Sequence, residues 1–404
     1  MNNRDVQVAI IGAGPVGCVL ALALARAGVS TALIEARQPP AWNEAETDLR
    51  VFALSRASQN ILTRLDLWSS IAAARASAYG AMEVWEANGQ GRVRFAAADV
   101  GEPDLGHIVE GNLLAATLAE RVRNTHDIVW HCPEKLERLN VHDEGVELLL
   151  SSGKRINAQI AVGADGARSP TRQLAGIEVD EKPYKQTAVV AHLRPEKSHG
   201  GAARQIFRPN GPLALLPLSD GRVSIVWSTS PEEAEQLLNL DEAAFGNAVA
   251  KASEHALGHL TLESKRASFP LHRLHAKSYV APRVVLVGDA AHVVHPLAGQ
   301  GMNLGLLDAA ALAEVITDAK RAGRDVDDYL VLRRYERWRH GENLAAQTAL
   351  TGFKQLFGLD SDSVRNLRGA GMKLFDLAGP VKRQTIRIAL GTAGDLPALA
   401  KPLV

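Results

Sequence analysis

Cysteine is nearly absent from this chain, which has two in 404 residues. Cys18 falls in an apolar helical run and Cys132 beside a proline, so both read as reduced thiols of a protein made in the cytosol, without a disulfide framework. Net charge is lacking as well. The 45 Lys and Arg balance 45 Asp and Glu, so no global field favours nucleic acid, and no nucleic-acid partner is expected. Long apolar runs are missing too. The longest, Val16 to Ala25, falls short of the roughly 20 residues a membrane span needs. The run near the start, Val6 to Ile11, stops at glycines where a signal peptide would show a cleavage site. The expectation is a cytoplasmic protein, and no repeat or low-complexity segment complicates it.

What is present is a globular composition, 46% hydrophobic and 22% charged, in a chain long enough for two domains. Val6 to Ile11 is rich in β-branched residues and reads as a buried parallel strand. An Ala/Leu-rich helix follows and ends near Gly28, a C-cap position, and Thr31 to Glu35 is a second strand. This β-α-β unit implies a doubly wound sheet. Helical periodicity returns over Gln59 to Ala74 and Leu113 to Arg123, with strands at Val146 to Leu150 and Ile160 to Val162. From Thr187 the pattern alternates. Thr187 to Leu193, Ala203 to Phe207, Leu213 to Pro217 and Val223 to Ser228 read as antiparallel strands, with Asp220-Gly221 as a hairpin turn. Arg283 to Val287 is again a buried-strand pattern, and the chain from Gly301 onward reads as mostly helical.

Gly12, Gly14 and Gly17 form GxGxxG between the first strand and the first helix. The first glycine permits the tight turn, the second a close approach of backbone to a pyrophosphate, and the third close packing of helix on strand. The helix N-terminus offers unpaired N–H groups to phosphates. Glu35 ends the second strand, where an acid binds a ribose hydroxyl; a solvated strand end is the alternative. Two further motifs follow strands: Gly163-Ala164-Asp165-Gly166-Ala167-Arg168-Ser169, and Gly288-Asp289-Ala290-Ala291-His292 leading through His295-Pro296 to Gly299-Gln300-Gly301-Met302-Asn303.

In order and in residues, this trio resembles the class A flavoprotein aromatic monooxygenases, which have the para-hydroxybenzoate hydroxylase fold. Within them, Gly288 to Asp308 (GDAAHVVHPLAGQGMNLGLLD) resembles the ubiquinone-biosynthesis hydroxylases. So do Leu49-Arg50-Val51-Phe52-Ala53-Leu54, Leu65-Asp66-Leu67-Trp68, His107-Ile108-Val109-Glu110, Gly211 to Pro217 and Phe269-Pro270-Leu271. Leu49-Arg50-Val51 leans toward the member that acts at ring carbon 5. The chain departs from the pattern at Gly111, where the family writes Asn after Glu, and at Ala115, where a glutamine commonly reaches the flavin.

The resemblance implies an α/β fold: a doubly wound FAD-binding (GxGxxG) domain interrupted by an antiparallel-sheet substrate domain, with a helical C-terminus. The expected division is 1–75, 96–182 and 281–345 for the FAD-binding domain, 76–95 and 183–280 for the substrate domain, and 346–404 for the helical region. The implied activity is an NAD(P)H- and O2-dependent hydroxylation of a polyprenylphenol by way of a flavin C4a-hydroperoxide. A small soluble aromatic substrate, or a non-catalytic FAD-bearing subunit, is the alternative. FAD is expected to bind non-covalently and NAD(P)H to dock transiently, since there is no second GxGxxG.

The flavin carries such chemistry, so no side-chain triad is needed. Gly12, Gly14, Gly17, Glu35, Arg50, Asp165, Gly288, Asp289, Gly299, Gly301, Met302 and Asn303 are the expected cofactor-binding residues. Asp289 would accept from the ribityl chain or cap a helix. Arg50 would cross the FAD phosphates or the ring, or form a salt bridge. Asp165 and Arg168 would link FAD and the pyridine nucleotide, or form a plain turn. Backbone N–H groups from Gly299 to Asn303 would face the flavin pyrimidine edge, at a helix start that favours the reduced anion. His295 and Pro296 are expected beside the flavin, or His292 and His295 are packed structural histidines. No metal is expected, since no further ligand pair at metal spacing accompanies them. Leu213, Leu215, Leu216, Val226 and Trp227 would roof an apolar pocket, or form an ordinary half-buried sheet.

The tail from Ser361 to Val404 carries seven basic residues (Arg365, Arg368, Lys373, Lys382, Arg383, Arg387, Lys401) and three acids (Asp362, Asp376, Asp395), net +4 by 7 − 3. With Leu367, Met372, Leu374, Phe375, Leu377, Ile386, Ile388 and Leu390 interleaved, it suits an interfacial helix on anionic lipid or a helix packed on the FAD domain. A peripheral place on the inner membrane and contacts with other ubiquinone-biosynthesis proteins remain open on this reading.

Overall fold

The computed structural model describes residues 5–403 except 88, 90 and 359–361. Ser361, where the basic tail begins, lies outside the described residues, as does the side chain of Arg365. Five parallel strands form the heart of the first sheet, in the order Val284–Leu286, Arg155–Gly163, Val6–Ile11, Thr31–Ile34 and Ile128–His131. Their near-continuous apolar sequence follows from burial on both faces. One face packs on the helices Pro15–Arg26, Arg56–Arg64, Gly111–Arg123 and Gln300–Arg321. The other is covered by a hairpin of Leu136–His142 and Gly145–Leu150.

The helical periodicity over Gln59 to Ala74 resolves into two helices, Arg56–Arg64 and Trp68–Arg75. Asp66 between them adopts φ 59°, a left-handed conformation that no helix interior accepts. A small antiparallel sheet of Val51–Leu54, His107–Glu110 and Ala76–Ala78 follows in space and brings the Arg50 segment to the site.

Among the described residues the second large sheet has nine strands. Val179–Pro195, Val223–Thr229, Leu213–Pro217 and Ala202–Phe207 are neighbours, and Ala81–Glu86 with Arg92–Ala96 extends them at one edge. At the other edge His292–Val293 pairs with Ala267–Ala276, so the Gly288 turn runs directly into this sheet. Two helices, Pro231–Asn239 and Glu242–Ala252, cover its far face. Their starts are fixed by Ser230 and Asp241, whose side chains accept from the N–H of Glu233 and Ala244.

Leu213, Leu215 and Trp227 lie in the core beneath those helices. They therefore face away from the nucleotide sheet. Strand alternation identifies the residues that share a face, and the helices decide which face they cover. The chain closes with helices Tyr329–Gly358, Asp362–Leu377 and Gly379–Ala389. Among the described residues no helix is long and apolar enough to cross a membrane.

Candidate active site

Between the two large sheets lies a cavity of about 1150 Å³. Its nucleotide side is lined by Gly12, Gly14, Glu35, Arg50, Asp165, Asp289, Pro296, Gly299, Gly301 and Met302. These come from five separate chain segments, so the fold assembles what the sequence scatters.

The glycines divide by what surrounds them. A Cβ on Gly12 (φ +104°) would stand 2.4 Å from the Ala164 carbonyl oxygen, and one on Gly17 would stand 1.9 Å from that of Gly12. Both are packing glycines that seat the helix on the strand. Nothing lies within 4 Å of a Cβ on Gly14, which opens onto the cavity. Gly14 precedes helix Pro15–Arg26, whose first-turn N–H groups have no partner within the helix. Glu35 braces this turn: its carboxylate accepts from the N–H of Ala13 at 2.7 Å and of Arg37 at 3.0 Å.

A second helix start faces the same space. Gly299 caps Gln300–Arg321 at φ +63°, with a Cβ position 3.0 Å from that of Ala53. Gly301 and Met302 line the cavity behind it. Asn303 does not. Its amide is buried and fully engaged: the oxygen accepts from Ser55 N–H and the Ser58 hydroxyl, and the nitrogen donates to the carbonyls of Ala53 and Gly299. It locks the helix start to Val51–Leu54, so its side chain positions the site without facing it. Two helix N-termini aimed into one cavity make a strong anion-attracting field.

Asp289 and Asp308 serve opposite sides of the same turn. Asp289 opens onto the cavity, and no hydrogen bond to its carboxylate is found among the described residues. It therefore caps no helix. The protein wall around it raises its carboxyl above the ordinary range, an effect that His292 and Arg50 oppose. Asp308 is wholly buried and accepts from four donors: Arg339 Nε at 2.8 Å, Asn343 Nδ2 at 2.9 Å, Gly288 N–H at 3.1 Å and His292 Nε2 at 2.5 Å. Burial alone would raise its carboxyl, but His292 and Arg339 outweigh that and bring it down to about 2.

Gly288 itself (φ +60°) packs on Val16, as does Gly305. Arg172 ties this turn to the Asp165 turn by donating to the carbonyls of Ala290 and Ala167, each at 2.8 Å. Asp165 accepts from Thr171 N–H at 2.9 Å and has its other oxygen buried without a partner beside the cavity. Arg168 is exposed and does not line the cavity.

Arg50 lines the cavity with its guanidinium 5.0 Å from the centre of the Phe52 ring. His292 is taken up by Asp308. His295 is wholly buried behind the wall, bonded to Gln186 at 3.1 Å and packed edge-on to Tyr184, while Pro296 forms the wall itself. Ala115 sits half-buried on helix Gly111–Arg123, away from the cavity lining.

The residues fit FAD. The open cradle at Gly14, the free oxygen of Asp165, the Asp289 carboxylate and the two helix starts suit a long ligand with a pyrophosphate, ribityl hydroxyls and an anionic ring. The opposite wall is different. Val190, Ala203, Gln205, Ala214, Leu216, Val226, Ala267 and Phe269 come from the second sheet and are nearly all apolar. Of the expected roof, Leu216 and Val226 are there.

Sequence reasoning passed over Asp308, Arg339, Asn343 and Arg172. Asp308 carried a signal: a lone acid inside the apolar run from Leu304 to Ala313 must be paired if buried.

The family described as FAD binding domain matches residues 5–346. The chain is 38% identical to the 3-demethoxyubiquinol 3-hydroxylase of Escherichia coli, over 97% of this chain and 100% of that one. It is 35% identical to the ubiquinone hydroxylase UbiL of Rhodospirillum rubrum, over 96% and 90%. Among solved structures, the p-nitrophenol 4-monooxygenase PnpA of Pseudomonas putida superimposes with a TM-score of 0.78 at 20% identity, covering 96% of this chain and 99% of that one, which speaks for the fold.

Proposed function

This chain belongs to the FAD binding domain family and is an FAD-dependent aromatic hydroxylase, and we propose that its substrate is a polyprenylphenol of ubiquinone biosynthesis. The observation that supports this most is the division of the cavity into a polar, helix-start wall and an apolar wall. On this reading residues 1–75, 96–182 and 281–345 hold FAD, 76–95 and 183–280 hold the substrate, and 346–404 form a helical region.

Bound FAD, reduced by NAD(P)H, supplies the activation of O2 for transfer of one oxygen atom to the ring. The chain's residues do the rest. Gly14 and the first turn behind it receive the pyrophosphate. Glu35 holds that turn and offers its remaining lone pairs to a ribose. Asp289 accepts from the ribityl hydroxyls, and Arg50 balances the phosphates. The helix start at Gly299 to Met302 stabilises negative charge on the ring. The apolar wall excludes water from the reacting face.

The E. coli relative is named for ring carbon 3, so this reading takes that position in place of carbon 5. A non-catalytic FAD-bearing subunit is the second reading, favoured by Ala115. The holoenzyme given NAD(P)H, labelled O2 and a short-tailed prenylphenol should yield a product heavier by one labelled oxygen. NAD(P)H left unconsumed would favour the subunit.

The tail adds a place to work. Leu367, Leu374 and Leu377 are 74, 70 and 82% exposed, and Ile388 is 62% exposed, beside the exposed Arg383 and Arg387. The inner side of the same helices, through Ile386 and Leu390, packs with Tyr79 and Met82, which line the cavity. We read this face as a weak, salt-sensitive contact with anionic lipid, worth about 1 kcal/mol per basic residue near the surface. The protein should sediment with phosphatidylglycerol vesicles at low salt and leave them at high salt. Protein that stays in the supernatant at low salt would make the tail purely structural.

A further inference from the structure

Resting on that substrate reading, we propose that Gln205 is the positioning residue that fixes how the aromatic ring lies against the second sheet. Gln205 stands in a row that runs straight across the sheet. Its register partners are Val84 on one side and Ala214 on the other, and the row continues through Val226 and Val190 to Ala267. Gln205, Ala214, Val226, Val190 and Ala267 all line the cavity. The next row, with Ala203, Met82 and Leu216, is apolar as well. Gln205 thus places one carboxamide in a field of methyl and methylene groups.

Gln205 as a residue is 6% exposed, and among the described residues no hydrogen bond of its side chain is found; its carboxamide opens onto the cavity. Water in the cavity can serve such an amide, and an apolar ligand that displaces that water must replace its hydrogen bonds or lose affinity. The neighbouring cavity polar groups are engaged or turned aside. Arg204 is paired with Glu83 and donates to the carbonyls of His199 and Ala202. Tyr79 packs with its hydroxyl against Gly106, and burial raises that hydroxyl above its ordinary value. His272 also lines the cavity, further along Ala267–Ala276 and 3.8 Å from Glu181, so Gln205 is the polar group that stands within the apolar rows themselves.

A carboxamide donates and accepts without charge. It suits a neutral phenolic hydroxyl, which also donates and accepts, on a ring that is otherwise apolar. One such bond anchors the hydroxyl end of the ring, and the apolar walls around it limit how the ring can turn about that anchor. Together they set which ring carbons can face the flavin wall.

The test titrates the FAD-loaded protein with a short-tailed prenylphenol and with its O-methyl ether, following the flavin absorbance. Wild type should bind the phenol more tightly than the ether. Gln205→Leu should lose about 3- to 10-fold in affinity for the phenol and little for the ether, the value of one neutral hydrogen bond. Gln205→Asn should recover part of the loss or shift the position of the added hydroxyl. FAD content and thermal midpoint, measured alongside, should match wild type in both variants. A wild type that binds the phenol, with Gln205→Leu binding it equally well and hydroxylating the same carbon, overturns the role of Gln205 and leaves the substrate reading standing. A wild type that responds to neither compound overturns both.

Discussion

The two faces of the Gly288–His292 turn contrast in how their acids are treated. On the rear face, Asp308 is sealed from water and meets four donors, with Arg339 supplying the compensating charge. On the front, Asp289 has no hydrogen-bond partner among the described residues and opens onto the cavity. The same backbone thus carries a carboxylate committed to structure and a carboxylate that faces the cavity, which the proposed function assigns to FAD. Burial pushes both upward; at Asp289 the charges of His292 and Arg50 do not offset it, while at Asp308 the charges of His292 and Arg339 are joined by their hydrogen bonds and bring the carboxyl down. A site can be recognised by such an acid: in a folded interior, polar groups are paired unless something else is meant to pair with them.

Breaking the rear face should have the largest effect. Asp308→Ala leaves the buried Arg339 with Glu342 and Asn343 as its remaining partners, and loss of one partner of a buried pair costs about 3–5 kcal/mol. Urea unfolding should show a loss of that size, with FAD occupancy falling as the turn loosens. Asp308→Ala with Arg339→Met removes the buried charge and should recover much of the stability. A double variant no better than the single one would show that the network acts by more than charge.

Acid should expose the same contrast. The Asp308 carboxyl sits at about 2 when folded against 3.8 ordinarily, so its contribution is present above pH 3.8 and is lost as pH falls toward 2. His275, beside His340, His292, Arg273 and Asp180, titrates earlier. Burial holds it down to about 4 from 6.5, so it stays neutral in the folded state. The unfolded chain takes up that proton first, so stability is full above pH 6.5 and declines as pH falls to 4. His275→Gln should flatten stability across that window, and an unchanged slope would put the titrating group elsewhere, with His192, also held down to about 4, the next candidate.

The smallest effect is expected at Ala115, which lies outside the cavity lining. Ala115→Gln should change turnover by less than about tenfold, equivalent to about 1.4 kcal/mol. A hundredfold rise would mark this chain as a weakened or non-catalytic relative.

The front face was legible in the sequence and the rear face was not. Gly12, Gly17 and Gly299 are demanded by backbone geometry, which is local and leaves its mark as glycine at fixed spacing. Asp289 sits in a motif directly after a strand. The Asp308–Arg339 pair joins two helices 31 positions apart, and no local rule links them. Asn303 was legible as part of the helix start, yet its amide bonds Ser55, Ser58 and Ala53, some 250 residues back, which only the tertiary fold supplies. Leu213, Leu215 and Trp227 were legible as one face of a sheet, but the helices that claim that face declare nothing of it in the strands' own sequence.

The contrast between the two aspartates is tested most directly by the affinity of the folded protein for FAD. Asp289→Ala removes a charged acceptor from the front face alone. The account predicts a loss of about 10- to 150-fold in FAD affinity, measured by flavin fluorescence on the apoprotein, with the urea midpoint of the apoprotein unchanged. An Asp289→Ala protein that is equally stable and binds FAD as tightly as wild type would contradict it.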